Sequence, residues 1–238
     1  GSAGESVVRK LKQDSSGIIA SMRKGKLQTV AESLPVNLQI GDVILTGEIN
    51  GWTGNTIHRA MFSKVSVKYA ARLWVDYLIS TVINNRVLEP AVLIGRDGTQ
   101  ATLSEVRPDE AFAHLEKIVG LWQIARSFPL PFFVNKDVAK PIWNNEVDFS
   151  DQHSTTAFVA TARNSFTRKP WASSNSSADR QAPADEPEAR AAFAGLRPFD
   201  LCCESVPELE QYGDQNLFAR LAETFCSPLT EHLEALPG

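Results

Sequence analysis

The chain has 238 residues, 43% hydrophobic and 22% charged, which is enough apolar mass for a sizeable core in one large or two small domains. Its 24 basic and 28 acidic side chains leave a formal charge of −4, excluding a protein that finds nucleic acid by overall positive charge. No run approaches about 18 apolar residues without charge, and three cysteines, two of them adjacent, make neither a disulfide framework nor a membrane protein.

Gly1-Ser2-Ala3-Gly4 reads as an expression scar, no secretory signal follows it, and the cysteine usage fits a reducing compartment. The charge is unevenly spread: residues 1–80 carry +4, residues 81–170 balance, and residues 171–238 carry −8. Such a gradient suits a molecule with a basic and an acidic side.

In chain order, Asp14-Ser15-Ser16 supplies caps for a helix through Ile18, Ile19, Met22, Leu27, Val30 and Leu34, interrupted at Gly25 and closed by Pro35. Val36–Ile40, the short connection Gly41-Asp42 and Val43–Ile49 form a hairpin, with Asn50-Gly51 marking the next turn. A third strand is expected over Thr56–Phe62. The clearest helix places Val67, Ala70, Leu73, Trp74, Tyr77, Leu78 and Val82 on one face, with Lys68, Arg72 and Asp76 opposite and Arg72 paired to Asp76.

Ala91–Ile94 and Ala101–Leu103 read as strands about the turn Arg96-Asp97-Gly98, and Pro108 opens a helix through Ile124. Pro129-Leu130-Pro131-Phe132-Phe133 is an extended segment presenting Phe132 and Phe133 for docking. Short helices are expected over 136–144 and 154–166, and a mobile loop over 172–190, where no large apolar residue occurs. Leu217 to Leu233 form a last helix, interrupted at Pro228. The succession gives α/β or α+β: a core over 5–171 with helical additions, then the loop, then residues 191–238 as a helical part of the same domain.

A hairpin, a strand and a long helix in this order invite comparison with metal-dependent nucleases. Those sites need acids on the hairpin and strand plus a lysine two residues on, because residues i and i+2 of a strand share a face. No lysine here has an acid two residues before it. Asn50 stands where an ion-binding carboxylate is wanted, and His58-Arg59-Ala60-Met61-Phe62 offers a cation instead. Glu48 is left as a lone carboxylate. Four separated histidines make no zinc spacing, and Gly95-Arg96-Asp97-Gly98 lacks the pattern of a phosphate loop. Cys202 has no nearby histidine to activate it, His114 suits a structural hydrogen bond, and Trp74 and Trp122 belong to apolar stripes. Arg59, Lys64, Lys68 and Arg72 form a candidate phosphate-binding strip, with Arg23, Lys24 and Lys26 as a second cluster and Trp171 as a docking or stacking candidate.

Leu45-Thr46-Gly47-Glu48-Ile49-Asn50-Gly51, Lys64 to Tyr69, and Leu73-Trp74-Val75-Asp76-Tyr77-Leu78 resemble the C-terminal region of the exodeoxyribonuclease V gamma subunit (RecC) family. Leu130 to Phe133, Lys169-Pro170-Trp171, Phe193 to Leu196 and Leu221 to Phe225 follow in the same order, over roughly residues 14 to 233. The resemblance implies a restriction-endonuclease-like PD-(D/E)xK core without its catalytic residues. That core would belong to a cytoplasmic DNA-repair and recombination complex with RecB-like and RecD-like subunits.

In active relatives the hairpin carries Gly-x-Ile-Asp and the next strand Asp-x-Lys. Here Gly47-Glu48-Ile49-Asn50 replaces the first, and nothing near Arg59 matches the second. The implied role is to guide or hold unwound DNA, with no cofactor in this chain and ATP and Mg²⁺ used by the other helicase and exonuclease subunits. Two alternatives are a purely structural assembly domain and an active nuclease with displaced carboxylates drawn from Asp42, Glu48, Asp76 and Glu105.

Overall fold

Apolar residues at 3–4 spacing build the helix at the centre of the first unit. Leu73, Trp74, Tyr77 and Leu78 are each 1% exposed or less, and burial of such side chains is worth ~1.5–3 kcal/mol apiece. That exceeds any surface pair on the opposite face by several-fold. In a computed structural model of the chain, which describes residues 2–24, 32–132, 136–167, 187–193 and 196–234, this helix is α2, Val67–Asn84.

Before it come α1 (Ser2–Lys24), the hairpin β1 (Glu32–Ile40) and β2 (Val43–Trp52), and β3 (His58–Ala60). After it come β4 (Ala91–Ile94), β5 (Gln100–Leu103), α3 (Pro108–Ala125), α4 (Lys136–Trp143), α5 (Gln152–Thr167) and α6 (Pro187–Ala192). Two 3₁₀ turns at Cys203–Ser205 and Pro207–Tyr212 lead to α7 (Leu217–His232) and β6 (Leu233–Glu234). The fold is mixed α+β. Among the described residues no helix is long and apolar enough to cross a membrane.

The chain divides into two compact units, residues 1–119 with 228–238, and residues 120–227. The division falls inside α3, where the helical pattern runs on, and inside α7 at Pro228, where the sequence marks an interruption. In the first unit β1 and β2 pair antiparallel across the two-residue connection Gly41-Asp42, with Gly41 at φ +57°. A second sheet runs β3-β4-β5-β6. Its β3 and β4 are parallel, joined by α2 as a crossover helix, and the other two pairs are antiparallel. Tyr77 donates its hydroxyl to the carbonyls of Leu88 and Glu89 at 3.1 Å each, tying α2 to the approach of β4.

In the second unit, Phe158 and Phe166 of α5 and Phe218, Ala222 and Cys226 of α7 enclose Phe199. Phe199 lies 5.0 Å from Phe218 and 5.5 Å from Phe166, ring centre to ring centre. A neighbouring cluster gathers Cys203, Val206, Leu209, Leu217 and Leu221.

Several expectations change. The first helix opens at Ser2 rather than near Asp14, because the Ser15 and Ser16 hydroxyls bond back to the carbonyls of Leu11 and Lys12 instead of capping. Ser2, Ala3 and Gly4 thus lie in α1. Leu34 and Pro35 belong to β1, with Pro35 opposite Glu48 on a two-stranded ribbon. The third strand is shorter than expected, since only His58–Ala60 finds β4. Of the stretch read as a mobile loop, residues 172–186 lie outside the described residues and Pro187–Arg190 open α6, with proline at its first position.

Gly51 carries the closest approach in this unit. A Cβ there would lie 2.4 Å from the His58 carbonyl oxygen, and φ is +87°. Gly51→Ala is therefore expected to destabilise the chain by about 2–4 kcal/mol, because backbone rather than a flexible side chain must move. Urea unfolding followed by tryptophan fluorescence measures it. An unchanged midpoint would contradict the packing described.

Candidate functional site

Gly51 allows the end of β2 to pass over β3, and this brings Asn50 beside Arg59. The Arg59 guanidinium donates from Nη2 to the Asn50 carbonyl at 3.2 Å and pairs through Nη1 with the Asp76 carboxylate at 2.7 Å. Both charged side chains are more than three-quarters buried, at 22% and 23% exposed. Asn50 also accepts a hydrogen bond on Oδ1 from the Ser33 hydroxyl at 3.0 Å. Hairpin, short strand and helix α2 meet at one cation.

This corrects the expected pairing along α2. Asp76 is taken by Arg59 from another element, and among the described residues Arg72 makes no ion pair. It also moves Arg59 from the exposed strip to a half-buried structural position. Glu48 stands exposed on the ribbon. Among the described residues no group of three or more His, Cys, Asp or Glu is arranged to hold a metal ion.

The three remaining cations are exposed. Lys64 lies on the connection before α2, and Lys68 and Arg72 follow one turn apart on the helix, about 5–6 Å between Cβ atoms. Among the described residues none of them makes an ion pair. Lys64 is near enough to Asp97 to help hold its carboxyl below the usual range, behind the larger effect of the Thr99 hydroxyl. Ser66 caps α2 by backbone geometry alone, with no side-chain bond to the first N–H groups, and no acid occupies the first turn. That end of the helix thus keeps its partial positive charge free for an anion.

Other candidates are placed as follows. Phe132 is half-buried against the second unit's own core, edge-on to Phe225 at 5.2 Å. Phe133, Trp171 and Lys26 lie outside the described residues, as do the side chains of Arg23 and Lys24. Trp74 is buried as expected, but Trp122 is 51% exposed, with the Arg126 guanidinium 5.3 Å above its ring. The covered face of the last turns of α3 is that of Leu121 and Ile124, which pack against the Cys203 cluster, and Trp122 stands off it. Cys203 and Cys226 are buried and their thiols pushed up, the latter to about 12, so neither is a ready nucleophile. Cys202 is half-exposed.

Sequence reading missed a histidine cluster in the first unit, because its members are far apart in the chain. His232 stacks on Trp74 at 5.3 Å and uses both ring nitrogens, Nδ1 with the Ser104 hydroxyl at 3.2 Å and Nε2 with Glu110 at 3.3 Å. The Ser104 N–H donates to the His232 carbonyl at 2.7 Å, so the cluster latches the end of α7 beside β5. His114, expected to make a structural hydrogen bond, has a partner on neither ring nitrogen and lies 3.9 Å from Glu110. Burial lowers its pKa, and also that of His58, against the pull of Glu110 and Glu89 respectively.

Compared with known families, residues 1–139 match the profile of the RecC C-terminal domain. No match to the chain is found among curated proteins.

Two outcomes follow. Asp76→Ala, which strands the Arg59 guanidinium, is expected to cost about 1–3 kcal/mol, whereas Glu48→Ala stays within about 0.5 kcal/mol. Paired urea titrations check this. His58 and His114 bind protons more weakly folded than unfolded. Stability is therefore complete above about pH 6.5 and falls as the pH drops below it, with a slope of at most about 1.4 kcal/mol per pH unit for each histidine. His114→Gln should flatten the slope between pH 7 and 5, and an unchanged slope would show that His114 is not part of it.

Proposed function

Because the chain belongs to the RecC C-terminal domain family, we propose that it is a non-catalytic, nuclease-like element of a RecBCD-like DNA-repair complex that holds DNA by its backbone at Lys64, Lys68 and Arg72. The observation that carries this reading is three exposed cations in and just before the first turns of α2, whose N-terminus has no side-chain cap bond, with the neighbouring acid, Asp76, already neutralised by Arg59. A phosphate backbone supplies the missing counter-charge without any base being read.

The proposed relation to restriction-endonuclease-like folds draws support from a hairpin followed by a β–α–β unit, with Asn50 and Arg59 at the positions where acids would serve. An Arg59–Asp76 pair fills that position with a fixed cation rather than an open carboxylate set. RecB-like and RecD-like subunits are the partners that membership in the family implies. A purely structural role is the second reading, favoured by the ribbon of β1 and β2, which stands exposed over much of its length and carries the apolar Ile44 at 61% exposure.

Lys68→Ala with Arg72→Ala should leave folding intact and weaken binding to a forked duplex similarly for unrelated sequences. The salt dependence of log affinity should lose roughly one unit of slope per lost phosphate contact. Titration of the whole chain at low ionic strength measures both, and unchanged affinity and slope would shift the reading to the structural role. Incubation of labelled DNA with Mg²⁺ or Mn²⁺ should produce no cleavage; EDTA-sensitive cleavage abolished by Glu48→Gln would overturn the non-catalytic reading.

A further inference from the structure

Among the exposed large apolar side chains of the described residues, Phe62 is the most exposed, at 65%. It stands on the connection between β3 and α2, and that connection is pinned on both sides of it. The Met61 N–H donates to the Ile94 carbonyl at 3.0 Å, and the Ser63 carbonyl accepts from the Arg96 N–H at 3.0 Å. The Ser63 hydroxyl also reaches the Met61 sulfur at 3.2 Å. The outward ring is therefore set by the fold and not by a frayed loop.

A single exposed apolar residue is ordinary on a protein surface. What distinguishes Phe62 is its company. Lys64 is two positions away, Lys68 and Arg72 follow on α2, and none of the three is spent on an ion pair among the described residues. Cations that take phosphates serve single strands and duplexes alike, whereas an outward aromatic ring gains only where a base is unstacked and free to lie on it. We infer that Phe62 stacks on an unpaired base of a single strand whose phosphates run along Lys64, Lys68 and Arg72. The inference rests on the proposed backbone contact at that strip and adds the residue that makes the strip select single-stranded over duplex DNA.

The test uses the whole chain at low ionic strength with two probes, a labelled oligo-dT and a blunt hairpin duplex. Phe62→Ala should weaken oligo-dT binding about tenfold, within the range for one lost base–aromatic stack, and leave duplex binding within about twofold. Phe62→Trp should restore it and Phe62→Leu should not. Irradiation of an oligonucleotide carrying 5-iododeoxyuridine should crosslink to the peptide containing Phe62, and thermal unfolding checks that each variant is folded.

Failure separates cleanly. If Lys68→Ala with Arg72→Ala weakens both probes but Phe62→Ala weakens neither, stacking is wrong and the backbone contact stands. If the double variant changes nothing, or the unaltered chain binds neither probe, the backbone contact fails and the inference falls with it. Equal losses on both probes with Phe62→Ala, or full binding with Phe62→Leu, would show an apolar contact or a protein-docking residue instead, and would overturn stacking.

Discussion

The polar face of the first unit is organised by the Arg59 guanidinium. It binds the Asn50 carbonyl with one nitrogen and the Asp76 carboxylate with another, and so joins the hairpin, β3 and α2. A lysine offers one compact charge on a flexible stem and would not span both acceptors in the same way. Both partners are more than three-quarters buried, where removing one leaves the other as an uncompensated charge. The contact depends in turn on Gly51, which alone lets β2 pass the His58 carbonyl.

That arrangement decides what the neighbouring charges can do. Asp76 would otherwise lie one turn from Arg72, at a spacing that favours a helical pair. With Asp76 withdrawn, Lys64, Lys68 and Arg72 make no ion pair among the described residues, which in the proposed reading leaves them to a phosphate backbone. In the second unit Glu204, Glu208, Glu210 and Asp214 are exposed on and beside the 3₁₀ turns, while Arg163 and Arg220 are paired with Asp200 and Glu223. The charge gradient along the chain does not follow the two units: the first is neutral, with 14 basic and 14 acidic residues, and the second carries −4.

Much of this was legible in the sequence, and the parts that were not share a physical cause. The spacing of Val67 to Val82 gave α2, alternation gave the hairpin about Gly41-Asp42, and the absence of an acid–x–lysine triplet gave a strand with no carboxylate to offer. These signals are local. Arg59 with Asp76, and His232 with Ser104 and Glu110, bring together residues that only the tertiary fold makes neighbours. Of the two boundaries between the units, the one at Pro228 coincides with the interruption legible in the last helix, whereas the one inside α3 falls where the apolar pattern runs on. Trp122 was misjudged because the covered face at the end of α3 is that of Leu121 and Ile124, and the ring stands to one side of it. Phe62 left a signal that went unread, a large aromatic two residues before a lysine in a connection too short to bury it.

A nuclease built on such a frame must hold its divalent ion with clustered carboxylates, and those same carboxylates repel a phosphate until the ion is in place. In the proposed nuclease-like reading, Asn50 and an internally neutralised Arg59–Asp76 pair stand where that cluster would be, and both the requirement and the repulsion fall away. In the proposed reading, DNA then approaches Lys64, Lys68 and Arg72 with no metal needed to shield an acidic centre. The attraction is independent of sequence and falls with salt, as suits a strand that must slide past and not stay. Loss of the carboxylates would then be more than decay of an active site. In that reading it would exchange a site that requires an ion for one that takes the phosphate backbone directly.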